Sequence, residues 1–290
     1  MTESVVNIAE NIEPKFVKCE RIMKMRLLRN LTILGKITLI QSLIASQFLY
    51  LMQSFILPHH VLQRINCMFF KFIWSKGKYK EQDLKNVPEK VKRDCLVQDY
   101  ANGGLKMIDM FDLQTAFALK WIKQLFLEGN GTWRCLPTFY FGQFAVGLSV
   151  FNCSSNINVT ANTPIFYRDI LSLWDKHKTD TDKSIIWNNN LIKISGQTVC
   201  FKNWIDKGIN NIGDITKDNR LMTYEELATK IGKNPRALIQ YLGIKSVISN
   251  NLIQQFGNVE RVNKNVYFNG KSITKCTAAD FREFIVKKGK

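Results

Sequence analysis

Apolar residues at positions 33, 37, 40, 44, 48, 51 and 55 recur in steps of three and four, which puts them on one face of a helix. Thr32 stands just before the first of them, where its hydroxyl can accept a hydrogen bond from a first-turn N–H. The pattern therefore predicts a helix running to about Phe55. An amphipathic basic segment precedes it over residues 15–28, with Phe16, Cys19, Ile22, Met23 and Met25 alternating with Lys15, Lys18, Arg21, Lys24 and Arg26. Pro58 suits the first turn of a third helix, where its missing N–H would find no partner anyway. Val61, Ile65, Met68, Phe69, Phe72 and Ile73 stripe that helix, which ends near Trp74. Three helices joined by tight turns predict a small bundle.

Beyond Trp74 the pattern lapses. Residues 75–93 carry Lys76, Lys78, Lys80, Lys85, Lys90, Lys92 and Arg93 among Gly77 and Pro88, and read as a basic linker. After the Gly103-Gly104 turn, Leu113, Ala116, Phe117, Leu119, Trp121, Ile122 and Leu125 predict another helix. Residues 131–163 read as an irregular connection, and 165–175 as helical. Two hairpins follow, one over Leu191–Cys200 around Ser195-Gly196 and one over 266–273 around Asn269-Gly270. Between them Thr223-Tyr224-Glu225-Glu226 has the form of a capping box, and Pro235 opens a further helix. Phe281 to Lys287 is a last short helix. The expected fold is mainly α with a smaller α+β part: a helical domain over 1–130 and a mixed domain with two β-hairpins over 164–290.

Charge changes this picture. Forty-one Lys and Arg against 24 Asp and Glu give a formal net charge of +17, which calls for a polyanionic partner, most often nucleic acid. Residues 15–93 hold 16 Lys and Arg against four acids, while residues 94–290 hold 25 against 17. The N-terminal third is where such a partner is expected. No uninterrupted apolar run reaches the ~20 residues of a spanning helix, so no membrane partner is expected. The seven cysteines are scattered, with no CxxC pair and no signal peptide, and read as reduced thiols of a nuclear or cytoplasmic protein.

The chemistry of a polymerase needs carboxylates gathered around two metal ions, and the chain has no Asp-Asp dipeptide. There is no phosphate-cradling GxxxxGK[ST] loop, no GxSxG elbow and no metal-ligand spacing among the three histidines, so neither a metal nor a cofactor is expected. Trp74 and Trp121 fall on apolar stripes and read as core, whereas Tyr79 between two lysines is open to base stacking.

Several motifs carry a resemblance. Arg29-x-Leu31-Thr32-x-x-Gly35-Lys36-Ile37 is followed by Leu57-Pro58, by Phe72-Ile73-Trp74 and a lysine-rich loop, then by Asp99-Tyr100-x-x-Gly103-Gly104-Leu105-x-Met107-x-Asp109. Ala116-x-Ala118-Leu119-Lys120-Trp121-Ile122, Ile186-Trp187-Asn188-Asn189, Phe201-Lys202-x-Trp204-x-x-Lys207-Gly208-Ile209, Thr223-Tyr224-Glu225-Glu226-Leu227 and Lys275-x-x-x-x-Asp280-Phe281 continue the series. In this order they resemble the thumb and post-thumb region of LINE-type (non-LTR) retrotransposon reverse transcriptases. The resemblance covers roughly residues 15–286 and implies a thumb over 15 to about 74, which clasps template–primer duplex. It also implies a C-terminal region concerned with RNA template and target DNA. The polymerase palm, fingers and endonuclease have no counterpart, nor does the family's Cys/His-rich segment. The expected function is a non-catalytic nucleic-acid-binding fragment of an RNA-directed DNA polymerase, gripping RNA, DNA or RNA–DNA hybrid through phosphates. Arg26, Arg29, Lys36, Lys71, Lys76, Lys78 and Lys80 are the expected contacts, Lys36 foremost because Gly35 lets a backbone approach. The alternative is a protein-interaction module that associates with itself or with an intact reverse transcriptase through an apolar face left bare.

Overall fold

The computed structural model describes residues 8–75, 90–127, 131–142, 147–154, 162–179, 181–258 and 266–288. The chain is mostly α-helical, with small antiparallel hairpins toward the C-terminus. It divides into two compact units, residues 1–119 with 278–290, and residues 120–277.

Unit 1 holds α1 (Ile8–Leu27), α2 (Ile33–Leu39), α3 (Ser46–Ser54), α4 (His59–Trp74), α5 (Arg93–Val97), the start of α6 (Met110–Phe126) and the C-terminal helix. Helix α1 buries Ile12, Phe16, Cys19, Met23 and Leu27, steps of four, three, four and four along one face. Met25, counted with that face in the sequence, lies outside it and is exposed. The predicted helix from Thr32 to Phe55 forms, but not as one rod. Thr32 caps it by accepting from the Gly35 N–H at 3.2 Å. A π-helical turn over Ile40–Ile44 then widens it, with the Ala45 N–H reaching back five residues to the Ile40 carbonyl, and the axis bends by 45°. Thr38 and Ser42 turn their hydroxyls onto carbonyls four residues earlier, competing with the helical ladder next to the bend. The extra residue shifts the helical phase. Ile37 is buried before it, Ile40 and Ile44 within it, and Ala45, Phe48, Leu51 and Met52 after it, while Ile33 and Phe55 at the ends of the predicted stripe face outward. Pro58 caps α4 just ahead of its first turn, and all six apolar positions predicted for that helix are buried. Each large side chain in this core, such as Phe16, Phe48 or Phe69, contributes about 1.5–3 kcal/mol through burial.

Unit 2 continues α6 and adds α7 (Cys135–Gly142), α8 (Ile165–His177), α9 (Lys202–Ile205), α10 (Tyr224–Ile231), α11 (Pro235–Val247) and α12 (Asn250–Phe256). The last helix, α13 (Ala278–Lys288), returns to unit 1. Three two-residue hairpins lie in unit 2: β1 (Lys193–Ile194) with β2 (Gln197–Thr198), β3 (Thr216–Lys217) with β4 (Arg220–Leu221), and β5 (Tyr267–Phe268) with β6 (Lys271–Ser272). The first and third are the two that the sequence predicts. All three turn through a pair of residues with positive φ: Ser195-Gly196, Asp218-Asn219 and Asn269-Gly270. The core gathers Trp187, Trp204, Ile185, Ile209, Ile212, Leu227 and Tyr241. Trp187 donates its indole N–H to the Ile209 carbonyl at 2.9 Å and meets Trp204 edge to face at 6.1 Å.

Candidate nucleic-acid interface

Lys36 does not face outward. Its residue is 7% exposed, and Nζ donates to the Ile73 carbonyl at 3.0 Å and the Ser75 carbonyl at 2.6 Å. Those oxygens belong to the open C-terminal end of α4, where carbonyls lack helical partners and the macrodipole favours a cation. The ammonium also lies 5.7 Å from the Phe72 ring centroid, and burial holds its pKa below the ordinary lysine value. Nor is the neighbouring backbone open to an anion, since the Gly35 N–H is taken by Thr32. The phosphate contact expected at Lys36 is thus corrected to an internal clasp, which ties the first turns of α2 to the end of α4. The Lys36 stem thereby links segments that lie 37 and 39 residues apart in sequence.

Asp109 of the motifs and two further polar side chains of unit 1 turn inward in the same way. Asp109 accepts from the Phe111 N–H at 2.7 Å, capping α6, and its second oxygen accepts from Asn66 Nδ2 at 2.9 Å. Asn66, buried in α4, accepts from the Met110 N–H at 3.0 Å. Gln114 closes an amide pair on Leu57, accepting from its N–H and donating to its carbonyl. Gly104 has a steric role: a Cβ there would come within 2.1 Å of the Gln98 carbonyl oxygen. Its neighbours Leu105 and Met107 both donate to the Leu96 carbonyl, which folds the loop back on itself.

The outward charge lies elsewhere. Lys15, Lys18, Arg21 and Lys24 recur every third residue along α1; Lys15 is half-buried, and the other three are exposed. Arg26, half-buried, and Arg29, exposed, continue the series into the turn before α2. Glu20, half-buried, is the acid in this stretch. Of the remaining expected contacts, Lys71 is half-buried in the last turn of α4, while Lys76, Lys78 and Lys80, with Tyr79, lie outside the described residues. Arg64, by contrast, is engaged. It pairs with Glu13 through both guanidinium nitrogens and stacks 3.9 Å over Phe16, which holds the Glu13 carboxyl below its usual range. Lys18 and Arg21 stand outside the expected contacts, although their three-residue spacing against the buried face of α1 is visible in the sequence. Among the described residues no three of His, Cys, Asp and Glu gather as a cation site.

In unit 2 the motif residues Asn189, Thr223 and Glu226 are structural as well. Asn189 donates to the Lys183 and Ile185 carbonyls and accepts from Leu191 N–H, pinning the turn that follows Trp187. Thr223 and Glu226 form the expected capping box, and Arg220 adds a bidentate pair to Glu226 at 2.9 and 2.8 Å. The Arg220 guanidinium, then the Thr223 backbone N–H, draw the Glu226 pKa down to about 2. Trp121, expected in the core, is half-buried beside Trp133, Phe166 and Tyr167. No single helix among the described residues is long and apolar enough to cross a membrane, though the bent pair of Ile33–Ile44 and Ser46–Ser54 meets that test by length and composition alone. Set against known proteins, the chain matches no protein-family model and no curated sequence.

Proposed function

We propose that this chain is a non-catalytic nucleic-acid-binding segment of a LINE-type reverse transcriptase, and that it grips phosphates through the outer side of α1. The observation that carries the reading is the run Lys18, Arg21, Lys24, Arg26 and Arg29, facing outward or half-outward with Glu20 as the acid among them. Cations at three-residue spacing on an exposed helix suit a backbone of regularly spaced negative charges and carry no information about base sequence. The order of the family motifs supports the assignment to the thumb and post-thumb region. The lack of an Asp-Asp turn supports a role without polymerase chemistry. Helix α1 replaces Lys36 as the centre of the grip.

The test is fluorescence anisotropy with duplex DNA, RNA–DNA hybrid and duplex RNA over a salt series. Reversing three charges together (Lys18→Glu, Arg21→Glu, Arg29→Glu) is expected to weaken binding by about a hundredfold. The same variant should flatten the log–log salt dependence by about three. An unchanged affinity in a folded triple variant would overturn the proposal.

A second reading has its own observation. Met25, Leu28, Ile33 and Leu34 are 56%, 81%, 40% and 51% exposed around the turn that carries Arg29. Such side chains suit association with another protein surface. Oligomerisation on a sizing column that persists at high salt favours this reading over the first.

A further inference from the structure

Unit 2 carries a seam of aromatic rings. Trp133 meets Trp121 at 6.0 Å between centroids, Trp121 meets Tyr167 at 6.0 Å, Tyr167 meets Tyr140 at 5.4 Å, and Tyr140 meets Phe139 at 5.4 Å. Phe166 joins from the side, 5.4 Å from Trp121. The two ends of the seam are open, Trp133 being 42% and Phe139 63% exposed, and the rings between them are half-buried. Phe141 and Phe151 lie fully buried beneath, with Phe141 edge-on to Tyr167 at 5.5 Å, so the outer rings rest on a fixed base. Helices α6, α7 and α8 each contribute to it.

The charge around the seam is one-sided. Residues 120–124, 131–142 and 165–169 hold Lys120, Lys123, Arg134 and Arg168 against Asp169. Lys123 turns onto the Cys276 carbonyl, whereas Lys120 is exposed beside Trp121. Arg134 lies 5.8 Å from the Trp133 ring centroid, held by a bond from its guanidinium to the Gln124 carbonyl. Exposed rings with cations beside them match a ligand that alternates flat rings with anions. An apolar protein surface would supply the rings' contact but no anion for the exposed Lys120.

We infer that this seam stacks the unpaired bases of a single-stranded nucleic acid, with Lys120 and Arg134 at its phosphates. The inference rests on the reading of the chain as a nucleic-acid binder, but uses different residues from the phosphate grip of α1. Stacking on such rings tolerates any base, so little sequence preference is expected.

The experiment titrates the full chain with a dT12 oligonucleotide and with a 12-base-pair duplex, reading anisotropy and tryptophan fluorescence. The double variant Trp133→Ala/Phe139→Ala should weaken dT12 binding by about tenfold or more and leave duplex binding unchanged. Trp133→Phe keeps a ring and the packing, so it should retain most of the affinity while losing part of the quenching on dT12 binding. Equal dT12 affinity in wild type and double variant, with duplex binding intact, would overturn the seam and spare the α1 grip. A wild type that binds neither probe would overturn both. Loss of self-association in sedimentation with no change in dT12 binding would identify a protein-docking face and overturn the inference.

Discussion

Lys36 and the outer cations of α1 belong to the same basic third of the chain, and their fates are opposite. Lys36 is swallowed by the end of α4, where its ammonium completes two carbonyls that the helix leaves open. Lys18, Arg21 and Arg29, seven to eighteen residues earlier, remain at the surface. The contrast separates two uses of one residue type. A lysine at a fixed place in a motif is there to close a helix end, and its charge is spent inside the fold. Cations repeated along an exposed helix face are the ones that a polyanion can reach. Charge counted from sequence therefore overstates what the basic third offers to a phosphate backbone.

Inward-turned motif residues should accordingly govern stability, and outer cations, Arg29 of the motif among them, affinity. The comparison breaks wherever substitution of an inward-turned motif residue weakens binding in a protein that is still fully folded. Gly104→Ala is the harshest case, because the added methyl meets the backbone of Gln98 and not a movable side chain. A loss of about 3 kcal/mol is expected in urea unfolding, with the affinity of the remaining folded protein unaltered. Lys36→Met keeps the stem and removes the ammonium, leaving the Ile73 and Ser75 carbonyls unpaired. The cost should be about 2 kcal/mol, read as a lower urea midpoint. The smallest effect concerns unit 2. Because the folded Glu226 carboxyl titrates at about 2 and not at its ordinary 4.5, its contribution is complete above pH 4.5 and disappears as the pH falls toward 2. Glu226→Gln should flatten that acid limb and leave nucleic-acid binding alone; an unchanged limb would mean that the Arg220 pair does not persist in solution.

The two units also differ in how well they could be read from sequence. Period-3.6 stripes locate α4 and α6, since a helix packed on one side leaves a regular trace, and the amphipathic segment 15–28 marks the latter part of α1. The same stripe hides the π turn at Ile40–Ile44. An inserted residue disturbs the phase by less than the spread that a pattern of three- and four-residue steps already allows, and the bend shows only in the exposure of Ile33 and Phe55. Glycine turns announced two hairpins, while Asp218-Asn219 reaches the same positive φ without glycine and left the third unread. The inward role of Lys36 was not legible at all, because its acceptors are main-chain atoms on another helix and no residue type marks them. Lys18 and Arg21 were legible as outward but drew no notice, since no motif includes them. In unit 2, the partial burial of Trp121 comes from rings contributed by α8, which no local pattern around that tryptophan contains.

The salt dependence of duplex binding, measured for Lys36→Met beside Arg29→Ala, separates these uses of charge most directly. Arg29→Ala should lower the slope of log affinity against log salt by about 0.9, and Lys36→Met should leave it at the wild-type value despite a lower urea midpoint. A slope lowered by Lys36→Met with the midpoint unchanged would return that lysine to the phosphates and contradict the clasp.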